Sequence, residues 1–383
     1  MDYFFTKYDV DPPAGAERAA LEDSIMQRGY PVTAGSMILE NFISPIDAAV
    51  VTRLEAAGIY IAGKTKMEEF GISGLFVNNA QLRSGAVAAV ADGAVDFALC
   101  NDYSGAVSRE AAARGVCYLR PTYGTVSRYG LIPAVPSMDQ IGVVCKTPPD
   151  GLRILEIIAG PDERDGAIQV NKELPPLNTD ADGEQNPEAP GFYQSTRPYE
   201  GNIRIGLPVN SVVSCPGIAD INDFAKNFET VEFQLRYFDV YTRVMQILCC
   251  AELSGNISRY DGVKFGFRAK GFSGINELYT KSRTEALGLD AKLAAILGAM
   301  VLSKDNYSGF YDKAMRVRRL IKESLEFDKY DVIAMPVCIN ATALPMLCGL
   351  PVVTIPHRCG GLALIADAGR EDMLFSALKA VGL

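Results

Sequence analysis

The 383-residue chain has one histidine, His357, and no tryptophan. A multi-histidine metal site is therefore excluded, and a Ser-His-Asp triad could be built only on His357. That residue sits in VVTIPHRCGG, where a polar residue closing an apolar strand is the simpler reading. Nine cysteines are scattered without a CxxC pair, so a thiolate metal knot is not expected either. Their odd number, with no secretory leader, leads to the expectation of reduced thiols in a cytoplasmic protein. No apolar run is long enough to span a bilayer, and no membrane contact is expected. Basic side chains are outnumbered, 37 Lys and Arg against 46 Asp and Glu, for a formal charge of −9. A broad phosphate-binding face is thus not expected, nor is direct contact with nucleic acid, although a local basic patch stays open. No metal and no cofactor is expected.

With 48% apolar side chains the chain can bury a large core. Strand-like and helix-like segments alternate without a natural cut, which favours one large α/β domain over residues 21–383. Residues 1–20, with two prolines and mixed charge, read as a loosely held N-terminal arm. Residues 171–201, rich in Pro, Asn, Asp and Glu, read as an exposed acidic loop.

The most informative stretch is Leu82 to Gly124. It reads as a small-residue helix from Ser84 to Asp92, a strand from Val95 to Cys100, a polar loop over Asp102 to Gly105, and a second Ala-rich helix. Small side chains allow both helices to lie close to a sheet. A glycine-bearing loop between strand and helix is a usual place for oxyanion or phosphate donors. The stretch continues as RPTYGTVSRYGLIPAVPSMDQIG, Arg120 to Gly142.

These residues resemble the amidase signature family, in which a Gly/Ser-rich helix, a strand, D-T-G-G-S and K-P-T-Y-G-R-V-S-R-Y-G-L follow one another. The resemblance is strongest to the branch containing GatA, the component of aspartyl/glutamyl-tRNA amidotransferase that releases ammonia from glutamine. LEDSIMQRGYPVTAGSMILENF (Leu21 to Phe42), GKTKMEEF (Gly63 to Phe70) and ISRYDGVKFGFR (Ile257 to Arg268) continue it. The resemblance implies a mixed β-sheet covered by helices on both faces, and GatB- and GatC-like subunits as partners.

The letters that carry the family's chemistry differ. The catalytic lysine position falls on Glu22, the bridging serine on Leu82 and the nucleophilic serine on Ala106. Leu82 and Ala106 come from independent anchors yet keep the family's separation of 24 residues. An alanine has no oxygen to attack with, a leucine relays no proton, and a glutamate inverts the charge of the lysine it replaces. The arginines that grip the glutamine carboxylate fall on Leu293 and Ala294, and the aspartate that holds its ammonium falls on Ile339. Asp102 and Gly105 keep their family identities. Between Phe70 and Leu82 the chain is shorter than the pattern, so part of the pocket rim is expected to be missing.

Two alternatives stay open. Ser84 and Ser108 are also 24 residues apart and could restore two serines two positions downstream, while Ser104 is a further hydroxyl in the loop. The apolar substitutions would also suit a small-molecule site for a less polar ligand. The leading expectation is a catalytically silent, GatA-like protein that serves as a binding, scaffold or regulatory partner.

Overall fold

The computed structural model describes residues 3–8, 12, 15–76, 83–168, 199, 201–214, 218–357 and 360–383. In chain order the strands are β1 (Phe4–Lys7), β2 (Arg18–Glu22), β3 (Tyr60–Thr65), β4 (Phe97–Asn101), β5 (Cys117–Arg120), β6 (Ile141–Cys145), β7 (Arg204–Pro208), β8 (Glu229–Phe233), β9 (Val332–Pro336), β10 (Val352–Ile355) and β11 (Leu362–Ala366). The helices are α1 (Ala49–Ala56), α2 (Ser73–Phe76), α3 (Gly85–Ala91), α4 (Ala106–Ala113), α5 (Pro148–Ile158), α6 (Val209–Ser214), α7 (Ile218–Ala225), α8 (Tyr241–Ile257), α9 (Ile275–Ala286), α10 (Leu289–Leu302), α11 (Lys313–Glu323), α12 (Ile339–Cys348) and α13 (Glu371–Ala380).

The strands form one mixed sheet in the order β1-β3-β2-β4-β6-β5-β10-β11-β9-β7-β8. β2 runs parallel to β3 and β4, and β7 runs parallel to β8 and β9. The other pairings are antiparallel. Helices cover both faces, because the central strands are apolar at successive positions and not only at alternate ones. Val353 and Ile355 of β10 pack with α1, α5 and α13 on one face. Val352, with Ala363 and Ile365 of β11, packs with α8, α10 and α12 on the other. A third cluster joins Ala20, Ala98 and Cys100 to α3 and α4.

The N-terminal boundary differs from the one expected. Residues 1–20 are not a loose arm along their described part: β1 pairs with β3 at the sheet edge, and β2 lies inside the sheet with Ala19 and Ala20 fully buried. Two alanines beside Leu21 carry little strand propensity, so the tertiary setting makes this strand and its sequence does not announce it. The acidic segment falls almost wholly outside the described residues, as does Leu82.

The cysteines need a second correction. Cys100, Cys117, Cys145, Cys249, Cys250 and Cys348 are free and buried, but Cys338 is disulfide-bonded. Scattered single cysteines give no sequence signal for a pairing set by tertiary distance.

Candidate functional site

Because β2, β3 and β4 are parallel, their carboxyl ends lie on one side of the sheet, at Glu22, Thr65 and Asn101. Open α/β sheets take ligands at such an edge. The loops leaving these strands bring Met67, Glu68, Asp102, Tyr103 and Ser104 to a cleft that Glu22 and Asn101 also line. The N-terminal ends of α3 and α4 close it with Ser84, Ala106, Val107 and Glu110. Glu22 and Ala106 thus share one cleft.

The strand-loop-helix turn forms for identifiable reasons. Gly105 is the N-cap of α4 at φ 74°, and a Cβ there would meet the Thr342 side chain at 2.5 Å. Only glycine fits both demands. Asp102 Oδ2 accepts from the Ser108 amide at 3.0 Å and so caps the helix from inside. The Ala106 amide donates to Ser104 Oγ over a long 3.4 Å. Two backbone donors at this helix start, the Ala106 and Ser108 amides, are therefore engaged internally.

The described part of the rim, residues 70–76, lies close over the cleft, and residues 77–82 are outside the described residues. Gly71 and Gly74 line it, and a Cβ on Gly74 would stand 2.6 Å from Ala106 Cβ and closer still to Ser104 Oγ. The Tyr103 hydroxyl donates to the Phe70 carbonyl at 2.8 Å, and Arg109 Nη2 to the Gly74 carbonyl at 3.1 Å, which fixes this segment in place. Among the described residues the cavity left beneath is about 40 Å³. That much space holds a few water molecules.

Electrostatically the site is acidic, and its carboxyl groups are buried. Burial raises the Glu22 carboxyl to about 7 despite hydrogen bonds from Ser24 Oγ at 2.6 Å and the Asn101 amide at 3.0 Å. Burial likewise lifts Glu110 to about 7, partly opposed by the Ser84 amide at 2.6 Å and by Arg114. Asp102 is raised by burial and held down in part by the Ser108 amide and Arg109. Among the described residues no three of His, Cys, Asp and Glu are placed to hold a metal ion.

The fallback serines part company here. Ser84 caps α3, its hydroxyl accepting from the Val87 amide at 3.3 Å, and it faces the cleft together with Ser104. Ser108 is fully buried and does not line the cleft; its hydroxyl meets Thr354 Oγ1 on β10 at 2.5 Å. A two-serine relay at 84 and 108 therefore has no common space. Ser108→Ala is expected to cost about 1 kcal/mol of stability, read from a denaturant melt, and to leave every cleft contact in place.

Leu293, Ala294 and Ile339 do not reach the cleft either. The first two lie inside α10, with Ala294 buried against α8 and Leu293 turned outward at 39% exposure. Ile339 starts α12, one turn before Thr342, whose hydroxyl receives a 3.0 Å bond from Arg109 Nη1. His357 follows β10 and is not part of the cleft. Sequence reading misses Glu110 and Glu68. Glu110 is accessible to it in principle, since it follows Ala106 by four residues and so shares its helix face.

Likeness to known proteins decides the kinship. A family model described as Amidase matches residues 19–81 and 84–346. The chain belongs to the amidase family. The amidase-family relatives include the GatA component of glutamyl-tRNA(Gln) amidotransferase from Lachnoclostridium phytofermentans, 32% identical over 92% of this chain and 76% of that protein. The Anaeromyxobacter dehalogenans counterpart is 34% identical, over 94% of this chain and 81% of its own. The solved counterpart from Thermotoga maritima superposes with a TM-score of 0.72 at 22% identity, covering 99% of this chain and 86% of that one. 6-Aminohexanoate cyclic dimer hydrolase does so at 0.71 and 17%, over 95% and 84%. These two superpositions bear on the fold alone: it is the α/β amidase-signature fold. No helix among the described residues is long and apolar enough to cross a membrane.

Proposed function

We propose that this amidase-family chain does not hydrolyse amides and acts as a binding, scaffold or regulatory partner. In that role it takes the place of GatA beside GatB- and GatC-like subunits of a tRNA-dependent amidotransferase, or modulates an intact one. The observation that carries the reading is the pairing in one cleft of Ala106, at the first position of α4, with the buried Glu22 carboxylate. A Ser-Ser-Lys amidase needs an oxygen nucleophile and a neutral amine at those two places, and neither side chain supplies one. The crowding of Gly74 over Ala106 and the small cavity support the same conclusion.

The expected result is silence in two assays. The purified chain, alone and mixed with GatB and GatC, releases no ammonia from glutamine above a no-protein control. A fluorophosphonate leaves its intact mass unchanged. A stoichiometric adduct on Ser84 or Ser104, the two described serines lining the cleft, would overturn the proposal in favour of a functioning amidase. Co-purification with GatB and GatC then tests the scaffold role separately.

A further inference from the structure

Away from the cleft, a cavity of about 350 Å³ opens where β10 begins and β11 ends. Lys322 from the last turn of α11, Leu325, Phe327 and Asp328 from the turn into β9, Leu350 before β10 and Asp367 after β11 line it. Strand register brings them together. β11 runs antiparallel to both neighbours, with Val352 opposite Ile365 and Val332 opposite Ala366, so its carboxyl end stands between the starts of β10 and β9. Leu350 is buried, Leu325 and Phe327 are half-buried against the core behind it, and the Phe327 ring stands edge-on to Tyr330 at 5.5 Å. The floor is therefore apolar and held in place.

The walls are charged and not neutralised. Among the described residues, Lys322, Asp328 and Asp367 form no ion pair within 4.0 Å, with one another or with any other side chain. Their charged neighbours are engaged elsewhere: Glu323 with Arg319, Lys329 with Glu326, Arg204 with Asp331 and Arg370 with Asp372. Asp367 Oδ1 accepts from the Ala368 amide at 2.8 Å, and Lys322 leans toward α12, its charge acting on the buried Cys348 thiol. Opposite charges held around a space of metabolite size, without closing on each other, suit a ligand that carries the converse set.

We propose that this cavity binds a basic amino acid, its carboxylate at Lys322, its two ammonium groups at Asp328 and Asp367, and its methylene chain over Leu325, Phe327 and Leu350. The charge count selects the class. One ammonium and two carboxylates on the protein are matched by one carboxylate and two ammonium groups on the ligand. A neutral amino acid leaves one aspartate unmatched, a simple diamine leaves Lys322 unmatched, and an acidic amino acid adds repulsion. The cleft lies at the carboxyl ends of β2, β3 and β4, five strands along the sheet from β4 to β11, so this site is independent of whether the cleft hydrolyses anything.

The test is isothermal titration of the full chain with L-lysine, for which one site with a Kd of about 1 mM or below is expected. Norleucine, which lacks the second ammonium, and cadaverine, which lacks the carboxylate, should each bind at least about tenfold more weakly. Asp328→Asn, Asp367→Asn and Lys322→Met should each weaken lysine about tenfold, while Lys322→Met leaves cadaverine no weaker than before. All three side chains are exposed, so the thermal midpoints without ligand should stay unchanged, which separates lost binding from lost folding. The absence of a binding heat at about 10 mM lysine overturns the proposal. So does norleucine binding as well as lysine, a site indifferent to all three substitutions, or Lys322→Met weakening cadaverine as much as it weakens lysine.

Discussion

Glu22→Gln is expected to raise the unfolding free energy by about 3 kcal/mol at pH 8 and to change it little at pH 4. The Glu22 carboxyl moves from 4.5 to about 7, with burial as the main cause. An acid raised in this way holds its proton in the folded chain over a range where the unfolded chain has released it. Stability is then lost as the pH climbs from about 4.5 to about 7, and the loss is complete above that window. A shift of this size corresponds to roughly 3 kcal/mol. A neutral amide avoids the desolvation cost, and its carbonyl can still accept from Ser24 and the Asn101 amide. Urea melts of both chains from pH 4 to pH 8 give the difference directly. Equal curves for the two proteins would mean that Glu22 is hydrated or paired in solution, and its burial as the cause of the shift would have to be abandoned.

Arg109→Leu should be more damaging, at about 3–5 kcal/mol and with no pH at which it is harmless. Arg109 is 1% exposed and donates to the Ser104 carbonyl at 3.1 Å, to Thr342 Oγ1 at 3.0 Å and to the Gly74 carbonyl at 3.1 Å. It is also a cationic neighbour of the buried Asp102. Leucine would leave buried acceptors without a donor and Asp102 with less compensation, the combination for which large losses are measured. Because the guanidinium ties the loop after β4 to α12 and to the rim, the damage should spread. Amide exchange around Gly71, Ser104 and Thr342 should accelerate together. A loss below about 1 kcal/mol would contradict the role assigned to this side chain.

Much of the frame is legible in the sequence. Ser84, with the small-residue run behind it, predicts α3 and its cap. Asp102 and Gly105 predict the turn into α4, because that residue pair both caps from within and allows the left-handed backbone. What the sequence withholds depends on distance. Ala19 and Ala20 carry no strand signal until β3 and β4 flank them. Ser108 matches Ser84 in spacing, yet its place on the helix turns it toward Thr354 and away from the cleft. Leu293 falls, by resemblance, on a lost ligand contact, whereas in the structure it lies on the outer side of α10, away from the cleft. The closeness of Gly74 to Ala106 joins residues 32 positions apart and has no sequence signature.

The strand order has a consequence for biosynthesis. Strands β1 to β6 make one block and β7 to β9 another, and the two are joined in the sheet only through β10 and β11. Among the described strands those two follow all the others in the chain, so an emerging polypeptide must hold two unfinished half-sheets, each with a bare lateral edge, until residues near 366 have left the ribosome. Such an intermediate is a natural client for chaperones and is prone to clump.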